Sequence, residues 1–292
     1  MITVFTATYN RAKTLPILFE TLCSQADKRF EWLIIDDGST DGTEEIVQGF
    51  MKDSPFEIRY VKRENWGLTA TLNQGFDLAK GDIFFRVDSD DYVTSDAIES
   101  IYANWHLVEK DTSLCGLVFL KKTISGIGND HFSLFTGNIR TNFFDFRNLY
   151  VENVDMAEVI KTEVLRSYKL PRFEGEKFCP EGVMWNRIAS DYDAIYIPHP
   201  IYMYEYIEDG FTKNSRRILY KNPIGASTFF SELYRHEKLR MFLYVKNGIS
   251  YWRYALKNGK SWKEKLSAVP VWASIIGLPA GALLHVYDGC RL

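Results

Sequence analysis

Apolar and polar positions alternate in blocks along the first half of the chain. Ile2 to Ala7 is a β-branched, largely apolar run that predicts a buried strand. Leu15, Leu18, Phe19 and Leu22 recur at helical spacing, with Thr14 placed as an N-cap. Phe30 to Ile35 predicts a second strand, and Asp36-Asp37-Gly38-Ser39-Thr40-Asp41-Gly42 a turn. Thr43 then caps a helix carrying Ile46, Val47 and Phe50. Phe56 to Val61 is a third strand, a helix runs from about Leu68 to Lys80, and a strand starts at Ile83. This order predicts an α/β fold with an open, mostly parallel sheet flanked by helices.

The second half is less regular. Ser113 to Leu120 predicts a strand, and residues 121–150 give no clear period. Pro180 to Ala189 predicts a helix with Pro180 at its start. Ala194 to Ile197 and Ile201 to Tyr206 predict two strands. From Leu266 to Tyr287 no Asp, Glu, Lys or Arg occurs, a length that spans a bilayer. Pro270, Gly277, Pro279 and Gly281 interrupt the run. Three readings stand: a transmembrane helix, an interfacial segment, or a core or oligomer helix.

Charge separates the two ends. The chain has 292 residues and a net charge of -3, which implies no global affinity for nucleic acid. Yet Phe211 to Ala268 holds 13 Lys/Arg against 3 Glu, a net of +10, so the rest carries -13. Trp252, Tyr254 and Trp262 alternate there with Arg253, Lys257, Lys260 and Lys263, a pattern suited to an anionic membrane surface. Cys23, Cys115, Cys179 and Cys290 are widely spaced and suggest neither zinc nor disulfides, which fits a reducing cytoplasm. The N-terminus opens directly into a strand-like run, so no signal peptide is expected.

The polar motifs of the first half all follow predicted strands: Thr8-Tyr9-Asn10-Arg11, Asp36-Asp37-Gly38, Arg63-Glu64-Asn65 and Asp88-Ser89-Asp90-Asp91. In parallel sheets ligands bind beyond the carboxyl ends of the strands. The four motifs therefore describe one crevice. The acidic segment has two readings. It is a solvated turn before a helix beginning near Ser95 and Asp96, or a set of oxygen donors for a divalent cation holding a diphosphate. Asp36 and Asp37 either satisfy their own turn or reach a ligand. Tyr9 either packs on the next helix or offers its ring to a base.

Thr6-Ala7-Thr8-Tyr9-Asn10-Arg11, Asp36 to Asp41, Asn65-x-Gly67 with Asn73-x-Gly75, Gly81-Asp82 and Asp88-Ser89-Asp90-Asp91 together resemble the family 2 glycosyltransferases. The resemblance covers about residues 1–210. It implies a GT-A fold, a Rossmann-like sheet, with 1–112 binding the nucleotide sugar and 113–210 the acceptor. Residues 211–292 then form a basic, aromatic, helical extension with an apolar end. It also implies inverting transfer from a nucleotide-sugar donor, UDP-linked by expectation. The implied donor residues are Thr6, Ala7, Tyr9, Asp37, Arg63, Asn65, Gly67, Asn73, Asp88 and Ser89; on its own residue type Arg63 also reads as a plain surface charge. Asp90 and Asp88 are the implied ligands of Mn²⁺ or Mg²⁺. Glu181 stands where the family carries an acidic pair and is the implied base, with Glu174 and Glu176 as fallbacks. Trp185 and Asn186 are expected at the acceptor, or Trp185 is a core residue, and Glu208-Asp209-Gly210 is expected in a closing loop. His199 either joins the metal or is structural.

The expected acceptor is a glycan or a polyprenyl-diphosphate-linked sugar used in surface polysaccharide assembly. The expected location is the inner face of the cell membrane, as a peripheral protein, with a homo-oligomer as a further partner. A nucleotidyltransferase acting on sugar phosphates would need a glycine-rich loop after the first strand, and Thr8 to Arg11 has none. A non-catalytic carbohydrate- or membrane-binding module would not need Asp88, Asp90 and Glu181.

Overall fold

The computed structural model describes residues 1–123, 135–147, 155–205, 211–236 and 241–291. The strands are β1 (Ile2–Thr8), β2 (Phe30–Asp36), β3 (Glu57–Lys62), β4 (Ile83–Arg86), β5 (Tyr92–Val93), β6 (Leu114–Thr123), β7 (Ile139–Thr141), β8 (Met156–Lys161) and β9 (Asp193–Tyr204). The α-helices are α1 (Leu15–Cys23), α2 (Thr43–Asp53), α3 (Leu68–Leu78), α4 (Ala97–Trp105), α5 (Phe143–Asp145), α6 (Thr162–Ser167), α7 (Gly182–Asp191), α8 (Phe211–Lys221), α9 (Pro223–Glu232), α10 (Met241–Ala255), α11 (Trp262–Ser267) and α12 (Val271–Arg291). Two compact units form, one from residues 1–169 and 191–206, the other from 170–190 and 207–292. The boundary expected at 210 falls among residues outside those described, as does the Glu208-Asp209-Gly210 loop.

The first unit is a nine-stranded mixed sheet in the order β3-β2-β1-β4-β8-β6-β9-β5, with β7 on β9. β3, β2, β1 and β4 are mutually parallel, as the alternating pattern requires. β8 then enters antiparallel to both β4 and β6. β2 is buried along its whole length, so its apolar residues serve both faces of the sheet. Asp36 ends it, and Glu31 is a buried carboxylate within it. Burial pushes its carboxyl upward, but hydrogen bonds from Thr3 Oγ1 (2.6 Å), Arg59 (2.9 Å) and the Lys80 N–H (2.7 Å) hold it below the ordinary value. On α1, Leu15, Leu18 and Leu22 form the buried stripe that the spacing predicts. The two strands expected at 194–206 are one strand, β9. It carries Pro198 and Pro200 past β6 by shifting register between Phe119 and Lys121.

In the second unit α10 and α12 run side by side in the same direction. Tyr244 meets Trp272, Gly248 meets Gly277, Trp252 meets Gly281, and Arg253 pairs with Asp288. A Cβ at Gly277 would lie 2.6 Å from the Gly248 backbone, so the helices touch almost main chain to main chain. Gly277 and Gly281, read as interruptions, are therefore contact points, and the helix continues through Pro279. Pro279 removes one backbone donor, and packing on α10 sustains the helix around it. The opposite face carries Val271 (74% exposed), Ile275 (70%), Leu283 (74%) and Val286 (64%). Among the described residues α12 alone is long and apolar enough to cross a membrane.

Candidate functional site

β1 to β4 are parallel neighbours, so the segments after Thr8, Asp36, Lys62 and Arg86 leave one edge of the first unit. Asn10 adopts a left-handed backbone, φ 54°. It ties the first two segments together: its N–H donates to Ser39 Oγ (2.8 Å), and its side-chain oxygen accepts from the Thr40 N–H (2.8 Å). Tyr9 is 49% exposed, so its ring is not consumed by packing on α1. Thr6 is internal; Trp32 donates to its hydroxyl, which donates to the Val87 carbonyl. Ala7 is half-buried. The Thr8 hydroxyl is buried with no hydrogen-bond partner among the described residues.

The two aspartates of the second segment divide their work. Asp36 closes its own turn by accepting from the Ser39 N–H (2.8 Å), and it also accepts from Tyr60 (2.5 Å). Asp37 instead reaches the third segment. Its Oδ1 accepts from the Trp66 N–H (2.9 Å) and from Arg63 (2.8 Å), and its Oδ2 from the Gly67 N–H (2.8 Å). Gly38 (φ 89°) and Gly67 (φ 90°) supply backbone that other residues adopt only under strain. A Cβ at Gly38 would also press to 3.0 Å on the Asn65 nitrogen. Arg63 is not a surface charge, being 8% exposed and bound to Asp37, Gln74 and Thr71. Its guanidinium also lies 5.1 Å from the Trp66 ring centre. Asn73 is half-buried on α3.

The acidic turn after β4 distributes its charge among separate partners. Asp88 pairs with Arg86 (2.7 Å) and Asp90 with Arg11 (3.3 Å). Asp91 accepts from the Tyr202 hydroxyl (2.7 Å), and Ser89 is buried. Burial works to raise the Asp88 carboxyl, but Arg86, Lys121 and Arg11 hold it below its ordinary value. Asp91 goes the other way, pushed up to about 7 by burial and by the Asp88 charge. Hard oxygen donors of this kind suit Mg²⁺ or Mn²⁺. No three His, Cys, Asp or Glu side chains gather into a metal cage among the described residues. The carboxylate oxygens of Asp88 and Asp90 are of the chemical type such a cation takes, beside phosphate and water oxygens. His199 lies 2.7 Å from Asp96, the residue that immediately precedes α4.

The second unit holds the remaining candidates. Glu181 immediately precedes α7, and its carbonyl accepts from the Trp185 N–H (3.1 Å). The helix starts at Gly182, two residues beyond the expected Pro180. Trp185 is buried, and the Asn186 amide nitrogen is buried with no hydrogen-bond partner among the described residues. Glu174 is exposed. Glu176 is occupied: its carboxylate accepts from the N–H groups of Ile224 (2.5 Å) and Gly225 (2.8 Å) and so caps α9. Burial pushes its carboxyl up despite those bonds.

Sequence reasoning gave no role to Arg11, Arg86, Lys121, Trp66 or Tyr202. Arg86 was the one readable signal, a cation inside an apolar strand. A cavity of about 610 Å³ lined by Gly81, Asp82, Trp105, Lys161 and Arg166 contains none of the candidate residues.

Known proteins share this chain's sequence pattern and its fold. The model of the family described as "Glycosyl transferase family 2" matches residues 3–161. Glycosyltransferase GlyA of Streptococcus pneumoniae serotype 4 is 35% identical over 101 residues, 35% of this chain and 14% of that protein. The chain spans well under two thirds of the first curated relatives it matches. Among solved structures, Staphylococcus aureus TarS (residues 1–349) in complex with UDP-GlcNAc is similar with a TM-score of 0.64 and 16% identity, over 99% of this chain and 92% of that one. A mannosyltransferase, PcManGT of Pyrobaculum calidifontis, in complex with GDP-Man and Mn²⁺, is similar with a TM-score of 0.59 and 18% identity, over 98% and 87%. At such identities the likeness is one of fold.

Proposed function

Because the chain belongs to glycosyl transferase family 2, we propose that it moves a sugar from a nucleotide-linked donor to a hydroxyl of a glycan or lipid-linked sugar, inverting the anomeric centre. The observation that carries this reading is the convergence of four polar strand ends on one sheet edge, closed by the Asp88 and Asp90 carboxylates. TarS was solved with UDP and with UDP-GlcNAc and PcManGT with GDP-Man, which supports a nucleoside-diphosphate sugar as the donor class; UDP is the nucleotide proposed here.

In this reading residues 1–112 hold the donor. Tyr9 and Trp66, each 49% exposed, offer ring faces to the base. Asp37 and Arg63 shape the loop through Asn65 and Gly67 that borders it. Asp37 Oδ2 carries one of the hydrogen bonds described above and keeps a lone pair for a uracil N–H. Asn73, Ala7 and Ser89 complete the walls, while Thr6 is buried and bonded to Trp32 and Val87 and so supports the β1 end from beneath. Asp90, with Asp88, would hold Mn²⁺ or Mg²⁺ against the diphosphate. When bound, the cation neutralises charge on the departing nucleoside diphosphate. Arg11 and Arg86, now paired with these carboxylates, lie where they add positive charge for phosphate.

Residues 113–210 hold the acceptor, with Glu181 as the base, followed by Trp185 and Asn186. As the acceptor oxygen bonds to the anomeric carbon, Glu181 takes its proton. The bond from that carbon to the β-phosphate oxygen breaks, and the electron pair leaves with the nucleoside diphosphate. Glu176 does not substitute, because it caps α9. Residues 211–292 keep the enzyme peripheral on the cytoplasmic face of the cell membrane, supported by the apolar outer face of α12 and the basic 211–268 stretch. There it would meet a polyprenyl-linked acceptor of surface polysaccharide synthesis.

A thermal-shift and hydrolysis screen of nucleotide sugars with and without Mn²⁺ tests the donor reading. UDP is expected to stabilise the wild-type chain in a Mn²⁺-dependent way, and Asp90→Ala to lose that dependence. Unchanged Mn²⁺-dependent binding in Asp90→Ala would remove Asp90 from the metal site.

A further inference from the structure

The acidic turn sits between two strands but is held by a residue far along the chain. Tyr202 lies on β9, is 1% exposed, and is separated by 111 residues from Asp91. Its hydroxyl accepts from the Asp88 N–H at 3.0 Å, where the turn begins. The same hydroxyl donates to Asp91 Oδ2 at 2.7 Å, where the turn ends. Inside that span the turn has its own bond, from the Asp91 N–H to the Asp88 carbonyl (3.1 Å). Just beyond it, Val93 stands in register with Tyr202, and the Thr94 N–H donates to the Ile201 carbonyl (3.0 Å).

The ring itself is fixed from two sides. Phe85 packs against it edge-on at 6.4 Å, and Lys121 Nζ lies 4.0 Å from its centre. Only a group that accepts and donates at once serves both ends of the turn, and a buried phenol does. Removing that hydroxyl leaves a backbone N–H and a carboxylate oxygen in part-buried positions without their partner.

Resting on the donor-site reading above, we infer that Tyr202 is the positioning residue of the acidic turn. Its hydroxyl joins the turn's entry to its exit and thereby fixes where the Asp88 and Asp90 carboxylates stand. A divalent cation demands ligands held to a fraction of an ångström, so the geometry Tyr202 imposes is felt as cation affinity and not as affinity for the base.

Tyr202→Phe keeps the ring and removes only the hydroxyl. UDP affinity is measured by calorimetry for each variant in Mn²⁺ and in EDTA, and the ratio is the readout. Wild type is expected to bind UDP more tightly in Mn²⁺, and Tyr202→Phe to lose roughly tenfold of that gain with its EDTA affinity unchanged. A change in packing alone would weaken both affinities together. Asp91→Asn still accepts from the tyrosine hydroxyl and is expected to keep most of the gain, whereas Asp91→Ala loses it. This second pair decides the matter if Tyr202→Phe fails to fold. A wild-type ratio in Tyr202→Phe, or equal ratios in Asp91→Asn and Asp91→Ala, overturns the inference. If wild-type protein shows no Mn²⁺-dependent gain, the donor-site reading itself fails, and the role of Tyr202 falls with it.

Discussion

The Arg63 and Asp37 side chains are each 8% exposed and bonded to one another, which makes them a test of how much this sheet edge depends on one ion pair. Arg63→Ala strands the Asp37 charge in a site with little water. The expected cost is about 3–5 kcal/mol, read as a lower urea midpoint. UDP affinity should fall with it, since the Trp66–Gly67 backbone hangs from the same carboxylate. Glu181 offers the complementary case. Glu181→Gln is expected to abolish transfer while leaving UDP affinity at the wild-type value; wild-type turnover would send the search for the base to Glu174. At this scale residue types were legible and partnerships were not. The motif spelled out Asp88, Asp90 and Asp91, but nothing local says that Arg86, Arg11 and Tyr202 would each claim one of them. Arg63 looked like a donor contact or a surface charge because its burial depends on α3 folding over it.

The elements of the first half were readable because each strand is a short apolar run followed by a helix of clear period, and parallel pairing follows from that order. The second half resisted for identifiable reasons. Pro198 and Pro200 split β9 on paper, while in the sheet a register shift against β6 accommodates them. Gly277 and Gly281 looked like breaks, because a glycine's role as a contact surface exists only once α10 lies against it. Gly277→Val is therefore expected to cost at least about 1–3 kcal/mol by overpacking that contact. A Cβ at Gly49, in α2, would instead meet open space. Gly49→Ala should stabilise by about 0.5–1 kcal/mol, since alanine favours a helix interior. Paired urea titrations check the opposite signs.

Over the whole molecule, a net charge of -3 conceals a strong polarity along the chain, with +10 concentrated in residues 211–268. The apolar outer face of α12 lies in the same C-terminal unit. Ile275→Glu with Leu283→Glu is expected to remove co-sedimentation with anionic vesicles and to leave UDP affinity intact. Full-length protein that ignores such vesicles but forms a dimer in light scattering, a dimer the double substitution dissolves, would assign this face to a second copy instead. The bond from Asp88 to Tyr202 also has a meaning in time. A ribosome that has released residues 1–112 has delivered every motif proposed above to bind the nucleotide, yet the strand whose Tyr202 bonds the acidic turn is still unmade. The edge that carries the acidic turn is therefore among the last features of its unit to be completed during synthesis, and the nascent chain cannot hold its finished form until β9 has emerged.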